Sequence, residues 1–298
     1  MEKLLQWAVN NSDQDQLKQD AEAIRRGDYK PDPSKFDPRV IEAILGKDDA
    51  TLMKESVQCI ADPNDSMENK EIALDNLELL VEGIDNAKNI QNMGLWPVLI
   101  SLLEDNDRQV RSGIAWVCGT ALQNNPDAQK AFLEHKGLPV LLKLLSSGQK
   151  EERTKAQYAI SGLLKHCPDA VRDFKQMNGF QTMTDVLKQN LDDASTVRKI
   201  VFLYNILILE NTPLAEELIK DGIVGTLNEI IVKYTTEKDE DMVEKALRTL
   251  HTLIQQKKSQ VSEIITSDMK SKIQQAQGTF GADNLNLDKN EWEDLLSN

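Results

Sequence analysis

The sequence predicts an all-α fold, a right-handed solenoid of about four helical repeats with helical caps at both ends. Three observations carry this expectation. A glycine-led apolar stretch recurs at Gly94, Gly137, Gly179 and Gly222, at intervals of 43, 42 and 43 residues. A second anchor runs in phase with it: Asp85-Asn86-Ala87, Pro126-Asp127-Ala128, Pro168-Asp169-Ala170 and Pro213-Leu214-Ala215. No stretch alternates apolar and polar residues with hairpin turns, as half-buried strands do. A period of ~40–47 residues filled with helices marks stacked repeats. One such unit cannot bury its apolar face alone, so the core forms between neighbours.

The elements follow in chain order. Residues 2–9 form a short amphipathic helix, with Leu4, Leu5, Ala8 and Val9 recurring at i and i+4 and Trp7 beside them. Eight residues are too few for a helix that stands alone, so it docks either on this protein or on a partner. Residues 10–38 are polar and acidic and carry Pro31, Pro33 and Pro38, which predicts a mobile linker. Residues 1–38 are thus a flexible acidic arm. The solenoid with its caps occupies 39–276, the first cap lying at about 38–61. Each repeat begins with a short helix after the proline, as at 127–135. A glycine stops it, and an apolar helix follows, as at 138–145. After a polar loop a long third helix runs over 152–166 and ends before Pro168. On it Ala156, Ala159, Ile160, Leu163 and Leu164 recur at helical spacing. The order short, second and third helix favours the armadillo arrangement over its two-helix relatives, and residues 111–119 look like the third helix of such a repeat. The closing cap spans about 259–276. Residues 277–298 are expected as a loose tail with an amphipathic turn at Trp292, Leu295 and Leu296.

Composition narrows the function. The 298 residues carry 35 Lys plus Arg against 49 Asp plus Glu, a net charge of −14. That excess argues against nucleic acid and against anionic lipid as partners. Most of it lies in front, where residues 1–90 hold 20 acidic and 11 basic side chains. No apolar run is long enough for a membrane span. Cys59, Cys118 and Cys167 are odd in number and far apart, so neither a disulfide framework nor a zinc site is expected. The amino terminus lacks the basic-then-apolar pattern of a signal peptide, and a cytoplasmic monomer is expected.

The sequence contains no phosphate-binding glycine loop, no nucleophile elbow and no zinc-protease motif. His135 and His166 fall at helix C-termini, where capping competes with catalysis as their role. The Asp239-Glu240-Asp241 cluster either binds a metal or caps the next helix. The expectation is a binding protein, with no enzyme activity, cofactor or metal.

The third helices point to where binding occurs. Lys70, Arg111, Arg153 and Arg198 each lie 17 residues before an anchor alanine. Trp116 and Tyr158 follow their arginines by five residues and Tyr204 follows Arg198 by six. A cation with a nearby aromatic, repeated along one surface, has the composition of interface hot spots. A helix amino end disfavours cations, so four of them there need a partner to explain them. For Trp116 and Tyr158, packing inside the solenoid is the competing role.

The opening Glu2-Lys3-Leu4-Leu5-Gln6-Trp7-Ala8-Val9-Asn10-Asn11-Ser12, the proline-rich acidic stretch and the repeat block with Asn124-Asn125-Pro126-Asp127-Ala128-Gln129 resemble the fungal Fes-one/HspBP-one family. These are armadillo-type nucleotide exchange factors of the 70 kDa (DnaK-class) heat-shock chaperones. The resemblance implies a concave solenoid that clasps one lobe of the chaperone's ATPase domain, displaces the other and lets ADP leave. With the chaperone as the partner, the repeated Lys70, Arg111, Trp116, Arg153, Tyr158 and Arg198 are the expected chaperone-binding residues. The resemblance also implies that the arm, through Leu4, Leu5 and Trp7, helps release polypeptide from the substrate-binding domain. The family has a cytosolic and an ER-luminal branch, and the chain is expected in the first. Two other functions compete: an import-type adaptor for basic peptides, and a chaperone-associated scaffold without exchange activity. The first expects an acidic groove, regular Trp/Asn ladders and about ten repeats, which this chain lacks.

Overall fold

The structure, a computed structural model, describes residues 13–28, 46–257 and 264–296. Among the described residues are seventeen helices and no strand. The chain divides into two compact units, Met1–Asp48 and Asp49–Asn298, so the boundary falls ten residues beyond the 38 expected from the prolines.

In the first unit the expected linker contains a helix, α1, Gln14–Arg26. Asp13 caps it by accepting from the backbone N–H of Asp15 and Gln16, and Gly27 ends it at φ 77°. The three prolines lie after this stop signal, so they could not have broken it. They, and the Leu4, Leu5 and Trp7 cluster, lie outside the described residues.

The second unit opens with a packed pair, α2 Asp49–Ala61 and α3 Met67–Val81. Four helix triplets follow, as the repeat count predicts. The first is α4 Ile84–Asn92, α5 Trp96–Leu102 and α6 Arg108–Leu122; the second is α7 Pro126–Glu134, α8 Gly137–Ser147 and α9 Lys150–Leu164. The third is α10 Pro168–Gln176, α11 Gly179–Gln189 and α12 Ala194–Glu210; the fourth is α13 Thr212–Lys220, α14 Ile223–Glu237 and α15 Glu240–Gln256. Two more helices close the unit, α16 Ser267–Phe280 and α17 Lys289–Leu296. Third helix stacks on third helix in the series α3, α6, α9, α12, α15, α17, over one continuous buried core.

The anchors work by local chemistry. Pro126 and Pro168 occupy the first position of α7 and α10, where a missing N–H costs nothing. The anchor glycines do two different jobs. Gly94 and Gly222 adopt φ 65° and 84° themselves. In the middle repeats the left-handed residue is instead the one before the glycine, Lys136 at φ 60° and Asn178 at φ 55°. There the glycine makes room: a Cβ on Gly137 would come within 2.3 Å of the Phe132 ring, and one on Gly179 within 2.6 Å of Phe174.

The tail expectation is overturned. Leu285, Leu287, Trp292 and Leu295 are all buried. Asp288 and Glu291 cap α17 reciprocally, each carboxylate accepting the other's backbone N–H at 2.8 Å. Arg248 and His251 of α15 reach across to Glu291 and Asp294 at 3.1 and 3.0 Å. Each buried side chain of this kind contributes about 1.5–3 kcal/mol, enough to hold an eight-residue helix that would not persist alone. Thus α16 and α17 stack as the second and third helices of a fifth repeat. No proline precedes them between 257 and 266, which is why the anchor is silent here.

Candidate functional site: the third-helix face

Each third helix is pinned at its start by a capping side chain: Ser66, Asp107, Asp193 and Asp239 accept from backbone N–H groups of the first turn. Gln149 does the same for α9 within a capping box closed by Glu152. Counting from these caps puts equivalent side chains in rows across the helices.

The arginines form the first row, and they are turned to the next repeat. The Arg111 guanidinium donates to Glu152 at 2.7 Å and to the carbonyls of Asp105 and Asn106 at 2.6 and 3.0 Å. Arg153 lies 3.6 Å from Asp193 and donates to the Gly148 carbonyl at 3.2 Å. Arg198 donates to Asp239 and Asp241, both at 2.6 Å. Every acceptor carboxylate sits in the cap or first turn of the following third helix. This resolves the macrodipole objection: the unfavourable cation is balanced by a carboxylate that the neighbouring helix end favours. Glu152 and Asp193 are 4% and 5% exposed, so these pairs are largely desolvated. Burial alone would lower the Arg198 pKa, yet its two aspartates hold it raised. Lys70, half-buried, is the exception: it joins no arginine-type staple, and its charge contributes to holding Asp65 low, behind hydrogen bonds from Asn69 and Cys59.

The second row, nine residues after the cap, reads Asp75, Trp116, Tyr158, Phe202 and Arg248. Trp116 and Tyr158 are half-buried and Phe202 is 44% exposed. The aromatic in the third repeat is therefore Phe202. Tyr204 is fully buried, donates to the Phe180 carbonyl at 3.1 Å and shares a 2.8 Å bond with Thr184. The spacing from Arg198 misled because α12 carries its arginine five residues after the cap rather than four, which shifts the count. The Tyr158 ring lies on α6 where Gly119 leaves space: a Cβ there would meet it at 2.4 Å.

The third row, six residues after the cap, reads Ile72, Gly113, Lys155, Lys199 and Lys245, and spacing from the arginines does not pick it out. The Lys155 ammonium lies 3.8 Å from the centre of the Trp116 ring. Lys199 donates to Ser195 at 2.7 Å. Lys165, near the end of α9, lies 5.3 Å from the Phe202 ring. Burial pulls the pKa of all three down. None has a carboxylate within ion-pair distance among the described residues, whereas Lys245 pairs with Asp241.

Chemistry outside this face is structural. Burial pushes the Cys118 thiol up to about 12 and, with Asp65, raises Cys59, so both stay protonated. His135 is the C-cap of α7 and meets Gln91 of the preceding repeat at 3.0 Å, and His166 meets Glu210 of the next at 2.8 Å. Asp239 caps α15 while it pairs with Arg198, and no group of three or more metal-ligating side chains exists among the described residues. No described helix is long and apolar enough to cross a membrane.

Repeated triplets, stacked third helices and a lined face define a protein of the armadillo-repeat class. Solved structures agree on the fold: a designed armadillo repeat protein superposes with a TM-score of 0.65 at 16% identity, covering 82% of this chain and 98% of its own. An engineered protein does so at 0.65 and 19%, covering 82% and 94%. Sequence comparison is more specific. The family described as "Nucleotide exchange factor Fes1" matches residues 1–90, and the "SIL1/FES1/HPBP1 C-terminal domain" matches residues 86–222. The two matches overlap at residues 86–90 and together take in residues 1–222. Relatives named "Hsp70 nucleotide exchange factor FES1" include those of Candida glabrata, 43% identical over 46% of this chain, and Saccharomyces cerevisiae, 40% over 45%. The one from Schizosaccharomyces pombe is 45% identical over 36%. The chain spans less than half the length of these relatives, 44%, 44% and 38% respectively.

Proposed function

We propose that this chain is a cytoplasmic, monomeric nucleotide exchange factor for a 70 kDa heat-shock chaperone, a regulator that itself performs no catalysis. The observation that carries the proposal is the tandem match to the Fes1 region and the SIL1/FES1/HPBP1 domain. The third-helix face supplies the surface on which the chaperone's ATPase domain would sit. Contact centres on Trp116, Tyr158 and Phe202 with the lysines beside them. Arg111, Arg153 and Arg198 serve that surface mainly by holding successive third helices in register, and Lys70 lies at its amino-terminal end.

The mechanism is a coupling between two binding events. The solenoid prefers the open, nucleotide-poor ATPase domain, and no residue of this chain touches ADP. A tenfold weakening of ADP takes about 1.4 kcal/mol of differential binding. ADP then weakens binding of this chain by the same factor. The arm, through Leu4, Leu5 and Trp7, competes with polypeptide at the substrate-binding domain, at the raised local concentration that tethering gives.

The experiment measures release of fluorescent ADP from such an ATPase domain with and without this chain, and with a chain lacking residues 1–38. Acceleration by both forms is expected, with polypeptide release impaired only in the truncated one. Binding without acceleration would make the chain a scaffold instead.

A further inference from the structure

Two kinds of cation share the third helices. The arginines are matched by the chain's own carboxylates. Lys155, Lys165 and Lys199 are not, although each is partly withdrawn from water. An ammonium held off solvent without a paired carboxylate costs stability, and carboxylates farther off offset only part of it: Glu151, Glu78 and Asp75 for Lys155, Glu210 for Lys165 and Asp193 for Lys199. Lys155 and Lys199 also repel each other across adjacent helices, and Arg198 adds to the repulsion on Lys199. The Trp116 ring offsets part of this for Lys155, by about 0.5–2 kcal/mol. Asp75 and Glu78 of α3 act on Lys155 without pairing with it, and Glu78 accepts from Thr120 at 2.7 Å. The face is therefore divided: acidic on α3, cationic on α9 and α12.

We propose that Lys155 and Lys199, with Lys165, form a receptor for an acidic segment of the bound partner, whose carboxylates supply the direct ion pairs that the chain itself does not make. Adjacent helices pack 8–10 Å apart, so the partner needs two carboxylates separated by roughly that distance. Residues i and i+2 of an extended strand, about 7 Å apart, come near it, and long Lys and Glu side chains span the rest. The aromatic row alongside takes the apolar part of the same segment. This assignment rests on the proposal that the third-helix face is where the chaperone binds.

The probe is a peptide of six glutamates, titrated into the full chain at low salt and followed by the NMR signals of the lysine Cε groups. Saturable shifts at Lys155 and Lys199 are expected, with Lys165 following, and they should disappear in 0.5 M salt and in the Lys155→Gln/Lys199→Gln variant. Uniform shifts at all exposed lysines, or none at this pair, would overturn the receptor. In parallel, affinity for the chaperone's ATPase domain is measured against salt. The double variant should bind about tenfold more weakly with a shallower salt dependence, and Lys143→Gln, at a lysine paired with Glu104 away from this face, should bind as the parent does. Equal binding and equal salt dependence in the double variant overturn the receptor and leave the exchange function standing. Failure of the parent chain to bind the domain overturns that function, and the peptide titration then decides the receptor alone.

Discussion

Arg153 and Lys155 lie two residues apart on α9, and their surroundings differ in kind. Arg153 is 14% exposed, faces buried Asp193 and belongs to a row of staples repeated in three successive repeats. Lys155 lies on an aromatic ring, with no carboxylate within ion-pair distance and its pKa pulled down by burial. The two share their sign of charge and their helix. What separates them is the group each meets: Arg153 reaches forward to the cap of α12, and Lys155 reaches back onto a ring of α6. The first finds a carboxylate and the second a π face. In a repeat protein, counting cations on a face therefore says little until each one's partner is known.

The largest effect should come from breaking a staple. Arg111→Ala leaves Glu152, 4% exposed, without its guanidinium, and stranding a buried charge costs about 3–5 kcal/mol. Urea or thermal unfolding should show a loss of that order. A loss under 1 kcal/mol would place this pair with ordinary surface ion pairs and erase the contrast with the lysines. An intermediate effect is expected at the aromatic row. Trp116→Ala should weaken binding to the chaperone's ATPase domain by about 2 kcal/mol, the scale of a hot spot, as read by calorimetry. A matching drop in stability without any change in affinity would make Trp116 a packing residue.

The smallest effect is electrostatic and depends on pH. The Lys199 pKa is lowered by burial, while the unfolded side chain titrates at 10.5. At neutral pH the unfolded state holds that proton more readily, so the charge works against folding. Stability from this group should rise as pH climbs through the lowered folded value towards 10.5, and level off above it. Lys199→Gln should therefore be slightly more stable than the parent at pH 7, and the gain should vanish above pH 10.5. Parallel stability curves for the two proteins across that window would show that Lys199 is fully solvated and remove it from the comparison.

The sequence exposed the repeats because proline and glycine punctuate them. Pro126, Pro168 and Gly222 act within a few residues of where they sit, so their meaning survives in one dimension. The partners of the arginines do not. Arg111 and Glu152 are 41 residues apart, and only the stacking of two repeats reveals that they meet. The aromatic row shows the same limit on a finer scale. Counting from Arg198 leads to Tyr204, which is core, whereas counting from the cap at Asp193 leads to Phe202, which is surface. The helix in the arm escaped because proline was given more weight than the Asp13 and Gly27 signals that bracket α1. The last two helices escaped because no proline anchor precedes them.

Helix α17 bears on how copies of this chain meet. A stack of like units offers at each end the surface that its own next unit would cover, and a surface that accepts one neighbour accepts another molecule's. Head-to-tail contact of that kind does not close, and it grows into fibres. Helix α17 occupies that position on α15, turns Trp292 and Leu295 inward and shows Asn290 and Glu293 to water. A second copy that meets this face finds polar side chains where an apolar stacking surface would be needed.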